Sequence, residues 1–316
     1  MVSNFIVVIA GPTGSGKTEL SCGLADKLPI EIVNCDIGQM YQPCSIGTAK
    51  PEWQTSPIPH HLFDIITEPT SLTVVQYRAL VQRVVAEIWQ RKKVPVLVGG
   101  SLFYSKSFLF PPVERIVADF VPSTREQGTW QELYHIDPER AQVIDKQDDY
   151  RIQRALDIWY KTGQKPSELR PQFEPFSDFS LFFVWRERKE LYDRINARTQ
   201  EMIEDGWIDE VAQLSPAWKS FLLKKRLIGY PEIIYYLQEK GDKEKLIATI
   251  QKKTRNYAKR QLTFWRSFKP DVHKAIAQKQ VQEPNFHATV GEVNLTLSSS
   301  NLYLENMISA YKGRLK

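Results

Sequence analysis

The stretch Gly11-Pro12-Thr13-Gly14-Ser15-Gly16-Lys17-Thr18 fits G-x-x-x-x-G-K-[ST], a pattern whose chemistry is phosphate binding. Glycines let the backbone curl until its N–H groups converge on phosphate oxygens. Lys17 adds a cation, and the Thr18 hydroxyl can ligate Mg²⁺. Such a loop needs a strand before it and a helix after it. Phe5 to Ala10 is an apolar run that reads as a buried strand, and Glu19 to Leu28 has helical periodicity. The helix start adds its positive dipole end. A glycine-rich turn that binds nothing is the competing reading, and both flanks argue against it. The motif fixes a phosphate or pyrophosphate; it does not fix the reaction.

A second candidate is Asp36. It follows Ile30 to Asn34, which reads as a strand, and ligands of open parallel sheets sit beyond the carboxyl ends of strands. A turn or N-cap role is the commoner use of such a residue. Gly99-Gly100-Ser101 follows a third strand, Val94 to Val98. Its glycines allow close approach of a ligand, and Ser101 can serve as a hydroxyl donor or as an N-cap.

The elements that must position these residues read as follows. Helices are expected from a start at Ser71 to Thr73 to about Arg91, and over Leu102 to Phe108, Asp148 to Lys161, Glu187 to Asp205, Ile208 to Leu214 and Lys243 to Phe268. Leu62 to Ile66 and Leu181 to Trp185 read as further strands. Pro111, Pro112, Pro122 and Pro138 break the pattern into short helices. The fold class is α/β: a P-loop NTPase-like core with a parallel sheet flanked by helices, plus a small inserted helical lobe. The core is assigned to 1–110 and 147–268 and the lobe to 111–146. The extension 269–316 carries no readable motif.

Composition excludes several classes. The chain has 316 residues, net charge +5, and three cysteines, Cys22, Cys35 and Cys44, without a C-x-x-C pair. That argues against a disulfide scaffold or zinc ribbon. His60, His61, His135, His273 and His287 lack metal-ligand spacing. No apolar run approaches a membrane span, and the first strand starts too early for a leader, so a cytoplasmic location is expected. The charge is unevenly spread. Lys252, Lys253, Arg255, Lys259, Arg260 and Arg266 are interleaved with aromatics on the last long helix. A solvated face is the ordinary reading, and a phosphate-backbone contact is the alternative.

Taken in order, these motifs resemble the tRNA dimethylallyltransferases, or tRNA isopentenyltransferases, over roughly residues 5–268. The resemblance rests on Gly11 to Thr18, Asp36 to Tyr41, Gly47-Thr48-Ala49-Lys50-Pro51, Pro59-His60-His61 and Leu97-Val98-Gly99-Gly100. It continues through Arg154-Ala155-Leu156-Asp157, Ile228-Gly229-Tyr230 and Thr254 to Thr263. It implies prenyl transfer without ATP hydrolysis. Gly11, Pro12, Thr13, Gly14, Ser15, Gly16, Lys17 and Thr18 would hold dimethylallyl diphosphate, with Mg²⁺ at Thr18. Asp36 would be the base for the exocyclic N6 of the adenine 3′ of the anticodon. Ser101 and Arg226 would act on the diphosphate. Ile37, Gly38, Gln39, Arg151, Arg154, Lys259, Arg260 and Arg266 would contact the tRNA anticodon stem-loop. A monomer is expected.

The chain departs from the family pattern in four places. Ile37 stands where Ser usually follows the base. Gly99-Gly100-Ser101-Leu102 replaces Gly-Gly-Thr-Gly. Phe264-Trp265 replaces the usual Trp-Phe or Trp-Leu, and the inserted lobe is a little short. These changes bear on rate and tRNA choice. No zinc finger follows the core, which resembles the bacterial form. A small-molecule kinase, a relative acting on free adenine nucleotides and a non-catalytic tRNA-binding module are the rival readings. The kinase leaves the basic helix and the G-T-A-K-P block without a role.

Overall fold

The structure is a computed structural model, and it describes residues 4–112, 128–169, 171–239, 241–298 and 300–312. The strands are β1 (Phe5–Ala10), β2 (Ile30–Asn34), β3 (His60–His61), β4 (Val94–Gly99), β5 (Asp178–Trp185) and β6 (Ala288–Asn294). The helices are α1 (Lys17–Ala25), α2 (Val74–Gln90), α3 (Leu102–Leu109), α4 (Trp130–Ile136), α5 (Pro138–Gln142), α6 (Asp149–Thr162), α7 (Arg188–Glu204), α8 (Trp207–Gln213), α9 (Pro216–Lys225), α10 (Tyr230–Glu239), α11 (Lys243–Gln282) and α12 (Ser300–Lys312). None of the described helices is long and apolar enough to cross a membrane.

The larger unit spans Met1–Lys106 and Phe176–Lys316. Its six strands pair in parallel in the order β3-β2-β4-β1-β5-β6. β1 and β2 are buried along their whole length, which is why they read as continuous apolar runs. Phe5, Val7, Ile9, Val94, Val96 and Val184 pack with Leu20 and Leu24 of α1 in one core. α2 starts with a capping box: Thr73 accepts from the Gln76 N–H, and the Gln76 side chain returns to the Thr73 N–H.

Three sequence expectations are corrected here. A strand over Leu62–Ile66 does not form, because Leu62 and Asp64 take left-handed φ values of 64° and 54°. The pairing falls on His60 and His61 instead, with an isolated bridge between Tyr41 and Ile66. The last long helix does not stop at Phe268. It continues through Pro270 to Gln282, since Val272 and Ile276 remain buried. That burial offsets an interior proline, which costs a helix about 3 kcal/mol. The extension beyond 268 also supplies β6, which pairs along β5 from Ala288 to Asn294.

The smaller unit, Ser107–Pro175, is helical. Its core is Leu133, Ala141, Ile144, Ile152, Ala155 and Leu156. This corrects the 111–146 boundary. α6 belongs to this unit and not to the sheet core, because its apolar stripe is buried with residues of α4 and α5. Residues 113–127, with Pro122, lie outside the described residues.

One further packing unit positions the loop after β2. The Glu210 carboxylate of α8 accepts the backbone N–H groups of Ser45 (2.8 Å), Ile46 (2.7 Å) and Gly47 (3.3 Å), and the Tyr230 hydroxyl (2.8 Å). The Trp207 ring is buried between Gly47 and Gly229. A Cβ on Gly47 would lie 2.0 Å from its Nε1, and one on Gly229 would lie 1.9 Å from its Cη2. Both motif glycines are therefore glycines because an indole fills the space a side chain would need. Gly229→Ala should lower stability by about 1–3 kcal/mol, read by chemical denaturation, since it overpacks this contact and strains a φ of 93°. In a Trp207→Leu background the same change should cost distinctly less. Equal costs in the two backgrounds would leave only the backbone strain as the cause.

Candidate functional site

The site lies at the carboxyl ends of β1, β2 and β4. After β1, the loop Gly11–Thr18 is held from outside by its carbonyls. The Gly14 carbonyl accepts from Arg194 Nε (2.9 Å) and the Ser15 carbonyl from Arg186 Nε (3.0 Å). Because a peptide is planar, fixing the Ser15 carbonyl turns the Gly16 N–H the opposite way. Gly16, at φ 97°, is the N-cap of α1 and offers no side-chain cap. The first-turn N–H groups of α1 have no partners within the helix, which is the arrangement that takes an anion. The Ser15 hydroxyl is buried in the loop without a hydrogen-bond partner. These features fit a phosphate group.

Lys17 Nζ donates to the Pro12 carbonyl at 2.8 Å. Burial drives its pKa down to about 8, with Asp36 acting against that shift and Arg198 adding to it. Thr18 is exposed at the first turn of α1. Among the described residues, no group of three His, Cys, Asp or Glu side chains could hold a metal ion. What fits Mg²⁺ here is the Thr18 hydroxyl together with oxygens of a bound diphosphate.

Asp36 ends β2 in a fixed pose. Asn34 Oδ1 accepts the Asp36 N–H (2.8 Å), and Asn34 Nδ2 donates to the carbonyls of Asp36 (3.1 Å) and Leu62 (3.0 Å). Asp36 Oδ1 accepts the Gly38 N–H at 3.0 Å, capping the short 3₁₀ turn Ile37–Met40. The turn-capping reading of this residue is therefore correct, and it leaves Oδ2 for other work. Loss of water raises the carboxyl above the ordinary carboxylate range, against the pull of the Gly38 N–H, Lys17 and Arg198.

Ser101 follows Gly100, where a Cβ would lie 3.8 Å from Asp36 Oδ2 and 2.7 Å from Gln261 Nε2. Gln261 of α11 ties the two loops together. Its Oε1 accepts the Thr13 N–H (3.0 Å) and its Nε2 donates to the Gly100 carbonyl (2.6 Å). The structure thus brings Gly11 to Thr18, Asp36 and Ser101 together. Tyr257, one turn before Gln261, is close enough to Asp36 that the carboxylate adds to the effect of burial in raising its phenol pKa.

Arg226 is placed differently. It is exposed at the left-handed C-cap of α9, φ 52°. The cations whose fields reach Asp36 are Lys17 and Arg198. Sequence reasoning missed Arg198, Gln261 and Asn34. The only signal for Arg198 was its i,i+4 spacing from Arg194, on a helix directly after the strand that neighbours β1.

Ile37 and Gly38 form the start of the 3₁₀ turn beside Asp36. Gln39 donates to the carbonyls of Thr48 and Ala49, both at 3.1 Å. Lys50 of the G-T-A-K-P block is buried and pairs with Asp64 while donating to the Tyr41 carbonyl at 2.9 Å. These contacts fix the loop. On α11, Asn256, Lys259, Arg260, Thr263 and Phe264 line one concave surface, with the Arg260 guanidinium 5.7 Å from the Tyr257 ring centre. Arg266 is exposed two residues beyond it. In the helical unit, exposed Arg151 pairs with Asp148 at 3.3 Å, and Arg154 lies on the next turn of the same helix.

A family model described as IPP transferase matches residues 39–268. The chain is 38% identical over 279 residues to the tRNA dimethylallyltransferase of Pseudothermotoga lettingae, covering 84% of this chain and 88% of that protein. Among solved structures it is similar to the full-length tRNA isopentenylpyrophosphate transferase of Bacillus halodurans, with TM-score 0.61 and 28% identity over 99% of this chain and 97% of that one. It is also similar to a eukaryotic dimethylallyltransferase solved acting on tRNA, with TM-score 0.76 and 26% identity over 96% of this chain and 77% of that one. The chain that carries this phosphate loop, with Asp36 beside it, belongs to the IPP transferase family.

Proposed function

We propose that this chain transfers the dimethylallyl group of dimethylallyl diphosphate to the exocyclic N6 of the adenine 3′ of the anticodon in tRNA. The observation that carries the reading is Asp36: a fixed carboxylate of raised pKa, under the field of the P-loop lysine. An exocyclic adenine amine is a weak nucleophile, because its lone pair is delocalised into the ring. A carboxylate that accepts its N–H and then its proton raises its reactivity. The N6 lone pair forms the bond to C1 of the prenyl group. The C1–O electron pair leaves with pyrophosphate, and the N6 proton passes to Asp36. Lys17 and the α1 N-terminus stabilise the charge gathering on the leaving group, and the Thr18 hydroxyl would hold a Mg²⁺ that would add to this stabilisation. Ser101 donates to the same diphosphate, and Arg226 is assigned to it by the family resemblance alone.

The basic surface Lys259, Arg260 and Arg266 takes anticodon-loop phosphates, as do Arg151 and Arg154. Ile37, Gly38 and Gln39 meet the adenine, which must leave its stack to reach Asp36. A cytoplasmic monomer goes with this reading.

The deciding experiment is transfer of labelled dimethylallyl to an unmodified anticodon stem-loop with Mg²⁺. RNA label that depends on Asp36 supports the proposal; ATP turnover on a small acceptor, with no label in RNA, overturns it in favour of a kinase. Asp36→Asn should cut turnover by a factor of about 10² or more while stem-loop binding persists. A variant with full activity would leave Asp36 as a turn residue alone. The pH profile follows from the same two groups. Below its raised pKa Asp36 is protonated and cannot accept the amine proton, so the acid limb of kcat/KM should sit above the ordinary carboxylate range. Above about 8 free Lys17 loses its charge, giving the alkaline limb. Bound diphosphate holds that proton, so the limb should move upward in kcat; coincident alkaline limbs would remove Lys17 from diphosphate binding. Changing Lys259 and Arg260 together to Ala should weaken stem-loop binding and flatten log K against log salt by about 0.7 per lost phosphate contact. An unchanged slope would move the RNA surface off α11.

A further inference from the structure

Helix α11 is pinned on both sides of one aromatic residue. Before it, Arg255 Nη1 donates to Asn196 Oδ1 of α7 (2.6 Å), and Gln251 donates to the Asn196 carbonyl (3.1 Å). After it, Gln261 joins the Thr13 N–H to the Gly100 carbonyl. The residue between is Tyr257. It comes one turn before Gln261, so the two side chains leave the helix on the same face. That face meets the site: a Cβ on Gly100 would lie 2.7 Å from Gln261 Nε2 and 3.8 Å from Asp36 Oδ2. The field of Asp36 reaches the Tyr257 phenol, and the Arg260 guanidinium stands 5.7 Å from the centre of its ring. Tyr257 thus lies on the way from the basic surface of α11 to the carboxylate.

Its surroundings are not those of a packing tyrosine. The side chain is half-buried, and among the described residues its hydroxyl has no hydrogen-bond partner. A tyrosine out of water usually finds one, and phenylalanine would fill the same space without the loss. The hydroxyls of Tyr77 and Tyr230 show the ordinary arrangement, donating to the Asn34 carbonyl and to Glu210, both at 2.8 Å. Loss of water and the Asp36 charge raise the Tyr257 phenol well above its ordinary pKa, against Arg260, so the hydroxyl keeps its proton and can donate. The crevice therefore offers an acceptor, Asp36, with a donor, Tyr257, near it. Adenine carries the matching pair on both its open edges, the N6 amine beside N1 and beside N7. Guanine puts O6 where the amine stands, and O6 would face the carboxylate as a second acceptor.

We propose that the Tyr257 hydroxyl donates to the ring nitrogen beside N6 of the acceptor adenine, selecting that base and holding its amine on Asp36. The proposal rests on the prenyl-transfer reading and assigns a residue that reading does not contain. The contact serves the reaction as well as the choice of base. Held at Asp36 alone, adenine would pivot about a single hydrogen bond. A second contact fixes the ring, so that N6 meets C1 of the prenyl group in one orientation. The ring nitrogens of adenine are also stronger nucleophiles than its amine. A donor on one of them occupies a lone pair that would compete for C1. Tyr257 keeps its proton throughout, since the proton lost from N6 passes to Asp36.

The test compares the full chain with Tyr257→Phe on three anticodon stem-loops. These carry adenosine, 1-deazaadenosine or 7-deazaadenosine 3′ of the anticodon, so that N1 or N7 becomes C–H. The variant should be as stable as the parent, because the hydroxyl has no partner in the fold to lose. On the adenosine stem-loop, Tyr257→Phe should lower kcat/KM by about tenfold, the size expected for one hydrogen bond. With the parent chain, one of the two deaza stem-loops should lose a similar factor. On that stem-loop Tyr257→Phe should cost nothing further, because variant and analogue remove the same contact. Loss with 1-deazaadenosine marks N1 as the acceptor, and loss with 7-deazaadenosine marks N7. A Tyr257→Phe chain within about twofold of the parent on adenosine overturns the proposal. So does a loss of the same size on all three stem-loops, which would make the hydroxyl a packing feature. Failure of the wider reading looks different. A parent chain that moves no prenyl group to the adenosine stem-loop refutes the reaction and takes the Tyr257 assignment with it. Transfer that is indifferent to Tyr257 and to both ring nitrogens refutes the assignment alone.

Discussion

One carboxylate and two cations share a crevice with little water, and the architecture around them holds them in place. Burial alone pushes Asp36 towards its neutral form and Lys17 towards its neutral form. The Gly38 N–H, Lys17 and Arg198 oppose that shift at Asp36, and Asp36 opposes it at Lys17, where Arg198 adds to it. Such a balance works only if distances are fixed, because a cation that drifted away would let burial raise the carboxyl further. The fixing is done by polar contacts that bind nothing themselves. Asn34 clasps the backbone on both sides of Asp36, and Gln261 joins Thr13 to Gly100. Arg186 and Arg194 hold the outer carbonyls of the phosphate loop. Four elements far apart in sequence therefore meet over one loop, and a parallel sheet is what lines up their carboxyl ends.

The loop from Ser45 to Pro51 shows a different economy. Its residues are polar and lie between apolar runs, which is the pattern of a loop that binds a ligand. Their hydrogen bonds are instead spent on the protein. Lys50 pairs with Asp64, whose other oxygen accepts the Trp53 indole N–H at 3.0 Å, and Glu210 takes three consecutive backbone N–H groups. The Trp207 ring, wedged between Gly47 and Gly229, ties this loop to the turn that follows Arg226. The two most specific glycines of the chain are thus explained by one buried indole, and neither is explained by φ freedom alone.

Much of the sheet and half of the site were legible in the sequence. The strand-loop-helix at residues 5–25 carries an explicit pattern, and Asp36 is placed by the end of an apolar strand. Other parts carry no local signal. β6, Ala-Thr-Val-Gly-Glu-Val-Asn, alternates too weakly to stand out; it is a strand because β5 offers it a ladder. Pro270 signals a helix end, and tertiary burial of Val272 and Ile276 overrides it. α6 had the pattern of any surface helix, and only its partners in the small core show which unit it joins. Arg198 is one arginine among several on a charged helix. What distinguishes it is the position of that helix on Gly14, a long-range fact that no window of sequence contains.

The described residues that follow Gln261 brace the site from behind. Trp265 stacks on Phe183 of β5 with ring centres 4.5 Å apart, and its indole N–H donates to Glu292 of β6 at 2.7 Å. α11 is thereby anchored to the sheet at the turn just after Gln261, the residue that joins the two substrate loops. Beyond β6, Leu295 reaches the phosphate loop itself: a Cβ on Gly16 would meet its Cδ1 at 3.1 Å, and its carbonyl accepts from Arg186. Leu304 and Met307 of α12 close over the core that contains Leu20 and Leu24 of α1. The extension is therefore a brace. It fixes α1 from behind and Arg186 from the side, so the curvature of the phosphate loop depends on residues almost three hundred positions later.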